Sequence, residues 1–454
     1  LLRSINPAND QIIADYNAMS DQDLWQTLSK VETASQAWRN VPLAKRAATV
    51  AKVAELLERD KEALAVLMST EMGKPLPQSR AEIEKCAWVC RYYGEHGPQF
   101  LQPENLPSDA SEAFVAFQPI GVVLAIMPWN FPFWQVFRFA IPALVAGNGA
   151  ILKHAPNVCG CALAIEKMFA QIGLPDKLMQ TLLIDHDQTA ELIAHPTVAA
   201  VTLTGSTRAG KAVAAQAGAH LKKTVLELGG SDPYVVLADA DVALAAKTCV
   251  TSRLINSGQS CIAAKRFIVV EEVREAFESA CHSIMSQKTF GPALEGDFDL
   301  GPMARTDLRD QLHDQVLRSL QAGARLALGG NVPAGPGAFY PATLLTGVTP
   351  EMAAFKEEIF GPVAAIVPAK DEAQAIALAN QTPYGLGAAI FTKDLDRARH
   401  LATHAIHAGA CFINDFVKSD PRLPFGGIKE SGYGRELSSF GIREFVNIKT
   451  VVVA

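Results

Sequence analysis

From Gly121 onward the chain alternates short, almost wholly apolar runs with segments whose apolar residues recur at helical spacing. Residues 122–126 read as a strand and 133–145 as a helix; 150–153 as a strand and 160–172 as a helix. The pattern repeats with strands at 180–184 and 199–203 and helices at 188–194 and 207–217. A strand with no polar face must be covered on both sides, so this βαβ series predicts a parallel sheet between helical layers. A second series runs from residues 267–270 to residues 409–413. The fold class is therefore α/β, with two parallel-sheet domains.

The first third reads differently. Residues 21–39 and 43–72 carry apolar residues at helical spacing, and Gly73-Lys74-Pro75 stops the second run. Residues 78–100 read as a further helix ended by Gly97-Pro98, and 114–117 alternate like a strand in an exposed arm. At 454 residues, 49% hydrophobic and 19% charged, the chain has length for two or three domains and a large core. The net charge of -6 and the lack of any basic cluster exclude a nucleic-acid surface. No apolar run has membrane-spanning length, and no secretory signal opens the chain at Leu1. Eight cysteines lack the spacing of a disulfide framework or a zinc site, which points to reduced thiols in a cytoplasmic protein.

Two segments at the junction of the series supply complementary chemistry. Cys261 lies in Asn256-Ser257-Gly258-Gln259-Ser260-Cys261, where small residues leave room beside the thiol. Upstream stands Glu227-Leu228-Gly229-Gly230-Ser231-Asp232-Pro233. A thiolate attacks a carbonyl carbon, and a carboxylate activates the water that releases the product. Taken alone, a Cys is more often a small buried hydrophobe. Thr204-Gly205-Ser206-Thr207 follows a strand and opens a helix, where free N–H groups and the dipole favour a pyrophosphate. The Rossmann and Walker patterns are absent, and a simple capped helix is the alternative. Lys153 ends a strand, the side on which open α/β sheets bind ligands; a surface lysine is the alternative. Pro128-Trp129-Asn130-Phe131-Pro132 fixes an amide that suits an oxyanion, or is a plain turn.

Together these segments resemble the NAD(P)-dependent aldehyde dehydrogenase superfamily over essentially the whole chain. Glu357-Glu358-Ile359-Phe360-Gly361-Pro362, Tyr384-Gly385-Leu386 and Pro424-Phe425-Gly426-Gly427 extend the match, followed by Lys429, Ser431, Gly432 and Gly434-Arg435-Glu436. The resemblance implies Cys261 as nucleophile, Glu227 as general base, and Asn130 with the Cys261 N–H as oxyanion hole. It implies NADP or NAD bound by Trp129, Lys153, Pro156, Gly205, Ser206, Leu228, Glu358 and Phe360. It also implies a cofactor domain (1–226), a catalytic domain (227–423) and a C-terminal segment (424–454) returning to the first. An oligomerisation arm would combine residues 101–118 with the final strand, 449–454, in a homodimer or homotetramer. A CoA-acylating relative needs no base, so Glu227 favours hydrolysis to an acid.

Arg138 lies eight residues past Asn130, about two helical turns on, among Phe137, Phe139 and Ile141. A guanidinium in an apolar wall attracts a carboxylate; a structural pair with Asp or Glu is the alternative. The position resembles the arginine that binds the far carboxylate in succinate-semialdehyde dehydrogenases. Their second arginine is here Ile255, whereas Ser419 resembles their serine ligand and Arg422 offers a replacement charge. No second Cys follows Cys261, so a redox partner is not expected. Pro156 replaces the glutamate common in NAD-preferring relatives, so no carboxylate repels a 2′-phosphate. His400, His404 and His407 fall on one helical face with no carboxylate or Cys to join them, and no metal site is expected. The reading is oxidation of succinate semialdehyde. Another small aldehyde, such as lactaldehyde or glutarate semialdehyde, is the alternative, and a non-catalytic protein on the same fold a more distant one.

Overall fold

The computed structural model describes residues Leu1–Ala454. The first βαβ series forms a six-stranded sheet ordered Gly432–Tyr433, Lys223–Glu227, Val198–Thr204, Val122–Met127, Gly149–His154, Met179–Thr181. All neighbours are parallel except the short Gly432–Tyr433, which pairs antiparallel with Lys223–Glu227. Alternate side chains of Val122–Met127 enter two cores. Val123 and Ala125 pack with Phe137, Ile141 and Tyr93, whereas Val122 and Leu124 pack with Leu24, Leu28 and Val213. This two-sided burial is what the continuous apolar strands require.

The second sheet has seven strands, ordered Arg325–Leu328, Thr343–Thr346, Val363–Ala369, Ala264–Val270, Asp232–Val236, Gly387–Phe391, Ala410–Ile413. Only the edge strand Arg325–Leu328 is antiparallel. Val235, Ile268 and Ile390 feed one core, and Tyr234, Phe267 and Ala389 the other. A three-stranded arm stands apart: Val446–Val453 pairs antiparallel with Glu112–Pro119 along its whole length, and Glu104–Asn105 flanks the latter. No helix is long and apolar enough to cross a membrane.

The structure departs from the sequence reading in several elements. The run 43–72 is three helical segments, Leu43–Ala51, Val53–Arg59 and Lys61–Met72. The next helix spans Leu76–Phe100 and keeps Pro98 inside its last turn, so Gly97-Pro98 does not end it. A proline one turn from the end deletes only one late hydrogen bond, which a helix tolerates better near its terminus. An antiparallel pair, Leu2–Ile5 with Ile12–Tyr16, opens the chain, where the sequence reading places no strand. His407 lies beyond the helical turns that carry His400 and His404, so the three do not share a helix face.

Candidate active site

Parallel strands end together, and the residues at those ends face one crevice. Glu227 closes Lys223–Glu227 and is registered with Thr204, while Lys153, near the end of Gly149–His154, is registered with Ile126. Cys261 lies in the loop that leads into Ala264–Val270, the neighbour of Asp232–Val236 in the second sheet. The loop is held in an unusual backbone shape, with Asn256 and Ser257 at φ of 55° and 52°. Side chains lock it there. Asn256 Nδ2 donates to Asn130 O (2.7 Å) and to Gln259 O (3.2 Å), and Asn130 Nδ2 donates to Gln259 O (3.1 Å). Asn130 is buried, and its amide retains a second N–H. No acceptor in the chain takes the Cys261 N–H. Both donors are left free, as a site for an oxyanion requires.

The charge around the thiol is unusual. Lys265, fully buried, donates through Nζ to Cys261 O (2.6 Å) and Ser260 O (2.9 Å), and lies 3.3 Å from the Glu358 carboxylate. Burial nevertheless pushes the Cys261 thiol up to about 12, with Lys265 and Arg138 pulling the other way. Glu227 is buried with both carboxylate oxygens unpaired. Burial and then the nearby Glu436 carboxylate hold it well above the usual range, opposed by Arg138 and Arg435. A raised carboxyl beside a nucleophile is the arrangement expected of a base that must also release its proton.

Arg138 is the point where two readings meet. Its Nε forms a buried ion pair with Glu436, so the structural pair weighed from the sequence exists. The guanidinium also lies 4.6 Å from the centre of the Phe425 ring and leaves Nη2 without a partner. Phe425 and Glu436 exchange backbone hydrogen bonds of 2.7 Å, which delivers both groups to Arg138. Arg138, Ser419 and Cys261 line one cavity of about 360 Å³, with Phe131, Trp134 and Phe425 among its apolar walls. That volume and lining suit a small ligand with a few polar anchors. Arg422 is not part of it: its side chain is exposed, forks onto Asp420 and lies over Trp88. It supplies no charge to the cavity, because Asp420, two residues away, captures it.

The residues expected to hold a dinucleotide lie along the crevice. Ser206 caps the helix Thr207–Ala219, its Oγ accepting from Ala209 N (3.3 Å), and a Cβ on Gly205 would meet only the Leu203 side chain, at 3.6 Å. Lys153 is half-buried, and burial lowers its pKa. Pro156 begins a turn of helix directly beyond that strand. Leu228 packs over Gly210, where a Cβ would come within 2.5 Å of it. Glu358 accepts from Gly230 N (3.0 Å), and Phe360 meets Trp129 edge-on at 5.8 Å. A helix N-terminus entered by a small glycine, together with a lysine that has no carboxylate partner at a nearby strand end, fits a pyrophosphate and ribose. Lys85, Trp134, Lys265 and Glu436 also belong to this region, and no site role was expected of any of them from the sequence. Lys265, four residues after Cys261, and Glu436, inside a matched motif, each had a positional signal.

Residues 2–451 match the aldehyde dehydrogenase family, and the chain belongs to it. It is 48% identical over 448 residues to the NAD(P)+-dependent succinate semialdehyde dehydrogenase of Escherichia coli (strain K12), covering 99% of this chain and 97% of that protein. It is 47% identical to the probable NADP+-dependent succinate-semialdehyde dehydrogenase of Synechocystis, over the full length of both. A crystal structure of the succinic semialdehyde dehydrogenase of Streptococcus pyogenes in complex with NADP+ superposes with a TM-score of 0.97 at 36% identity, covering 100% of both chains.

Proposed function

We propose that this aldehyde dehydrogenase oxidises succinate semialdehyde to succinate with NADP or NAD. The observation that carries the reading is the shared cavity: the Cys261 thiol and two polar anchors, Arg138 and Ser419, line the same 360 Å³ space. The E. coli and Synechocystis relatives support it by what they are named for. Once its thiol proton has left to solvent, Cys261 Sγ adds to the aldehyde carbon, and the carbonyl oxygen becomes an alkoxide held by Asn130 Nδ2 and the Cys261 N–H. A dinucleotide held in the crevice would supply the acceptor for the hydride leaving that carbon. The thioester left on Cys261 is then attacked by water whose proton passes to Glu227, and the C–S bond breaks to release the acid. Ser206, Lys153 and Glu358 bind and orient the dinucleotide. The exposed Ile448, Val452 and Val453 on the arm fit assembly of two or four copies. Eight free thiols fit a reducing cytoplasm.

The test is cofactor reduction with an aldehyde panel and each dinucleotide. The highest kcat/KM is expected for succinate semialdehyde. A higher value for lactaldehyde or glutarate semialdehyde replaces the substrate, and no reduction with any aldehyde rejects the activity.

A further inference from the structure

Four cations line the substrate cavity: Lys74, Lys85, Arg138 and Lys418. Three of them have carboxylate partners. Lys74 pairs with Glu82, Arg138 with Glu436, and Lys418 with Asp415 at 2.7 Å. Lys85 alone has none. It projects from the helix Leu76–Phe100, is half-buried, and makes one side-chain hydrogen bond, from Nζ to Ser419 Oγ at 2.8 Å. Its ammonium lies 4.3 Å from the centre of the Trp134 ring. A partly desolvated ammonium whose only polar partner is a neutral hydroxyl retains two donors for an anion.

The hydroxyl it contacts is poised in the same sense. Ser419 Oγ is buried and accepts from Lys85 Nζ and from Trp134 Nε1 at 3.0 Å. With both lone pairs engaged, its own O–H is left to donate. Arg138 Nη2, buried and unpartnered, adds another donor to the wall, although the charge of that guanidinium is already opposed by Glu436. Lys85 therefore supplies the uncompensated positive charge.

We propose that Lys85 is a specificity-determining residue, its ammonium receiving the distal carboxylate of an ω-carboxy aldehyde together with the Ser419 hydroxyl. The inference rests on the semialdehyde reading above and names the cation that Ile255 and Arg422 do not provide. Titration gives it a signature. Burial, reinforced by Arg138 on the facing helix, brings the Lys85 ammonium down to about 8; Cys86 and Glu82 on its own helix and Asp420 on the facing loop oppose this. Recognition of the carboxylate is full below that pH and fades above it as Lys85 loses its proton.

The experiment measures kcat/KM for succinate semialdehyde and butyraldehyde on the full-length enzyme, Lys85→Met and Lys85→Arg, below and above pH 8. One charge-assisted bond implies roughly a 10- to 150-fold loss for Lys85→Met on the semialdehyde, mostly in KM, with butyraldehyde changed less than about threefold. Lys85→Arg should keep most of the preference, and the wild-type preference should decline above pH 8 while that decline is absent in Lys85→Met. Equal losses on both aldehydes, or an unchanged semialdehyde preference in Lys85→Met, overturn the role of Lys85 and leave the semialdehyde reading standing. A wild-type enzyme that does not prefer the semialdehyde to butyraldehyde overturns both.

Discussion

Burial raises the pKa of both Glu227 and Cys261, and that shapes how the enzyme should respond to pH and substitution. Cys261→Ala should abolish oxidation while dinucleotide binding, read by fluorescence titration, persists. Glu227→Gln should still give a burst of reduced cofactor in rapid mixing, followed by a steady-state rate reduced by about 10²- to 10⁴-fold. A lost burst would instead make Glu227 the activator of the thiol. The base must be ionised to act, and its pKa is raised, so the hydrolytic rate should climb with pH well beyond the ordinary carboxylate range. The Glu436 carboxylate, second to burial, contributes to that rise, whereas Arg138 opposes it. Glu436→Gln removes the first and frees the second, so the rising limb should move to lower pH. The same change breaks a buried ion pair, at a cost of about 3–5 kcal/mol. The pH profile should therefore be taken on variant protein shown to be folded by circular dichroism.

At the scale of elements, the nucleophile loop is fixed by a backbone-to-backbone contact. Gly258 has φ of 76°, and a Cβ on it would lie 2.1 Å from Gly361 O, in the segment that carries Glu358 and Phe360. Gly258→Ala should cost on the order of 1–3 kcal/mol from its backbone conformation alone. The overlap adds to this, with a drop in Tm and loss of turnover measured on the same preparation. Inner strands such as Val122–Met127, Gly149–His154, Val198–Thr204 and Ala264–Val270 were legible in the sequence because apolar runs of that length have only one stable environment, whereas the exposed edge strand Arg325–Leu328 has no such run. Cys261, Glu227 and Asn130 were marked by dense local motifs. Lys85 was not, for a physical reason. Gln78, Glu82 and Lys85 fall at helical spacing on one polar face, and a polar face turned to a cavity has the same pattern as one turned to water. Arg422 was misplaced for the converse reason: composition says which charge a loop carries, not where Asp420 will direct it.

At the scale of the whole molecule, the cavity is a seam. Lys85 comes from a helix of the first third, Arg138 and Trp134 from the helix Trp134–Ala146, Cys261 from the approach to the second sheet, and Ser419 from a late loop. The arm is equally non-local, since its long pairing joins Glu112–Pro119 to the last strand of the chain. Deleting residues 446–454 should bare the edge of Glu112–Pro119, and sedimentation velocity should show disrupted assembly or aggregation. An unchanged, monodisperse sedimentation profile would remove the arm from the interface. The raised pKa of the half-buried Cys261 thiol has a further consequence for the resting molecule. With its pKa raised by burial, Cys261 holds less thiolate at neutral pH than a free cysteine, and peroxides and alkylating agents react with the ionised form. An enzyme waiting without ligands thus yields its sulfur to oxidants less readily than a free cysteine would, and oxidative damage becomes more a hazard of the working state.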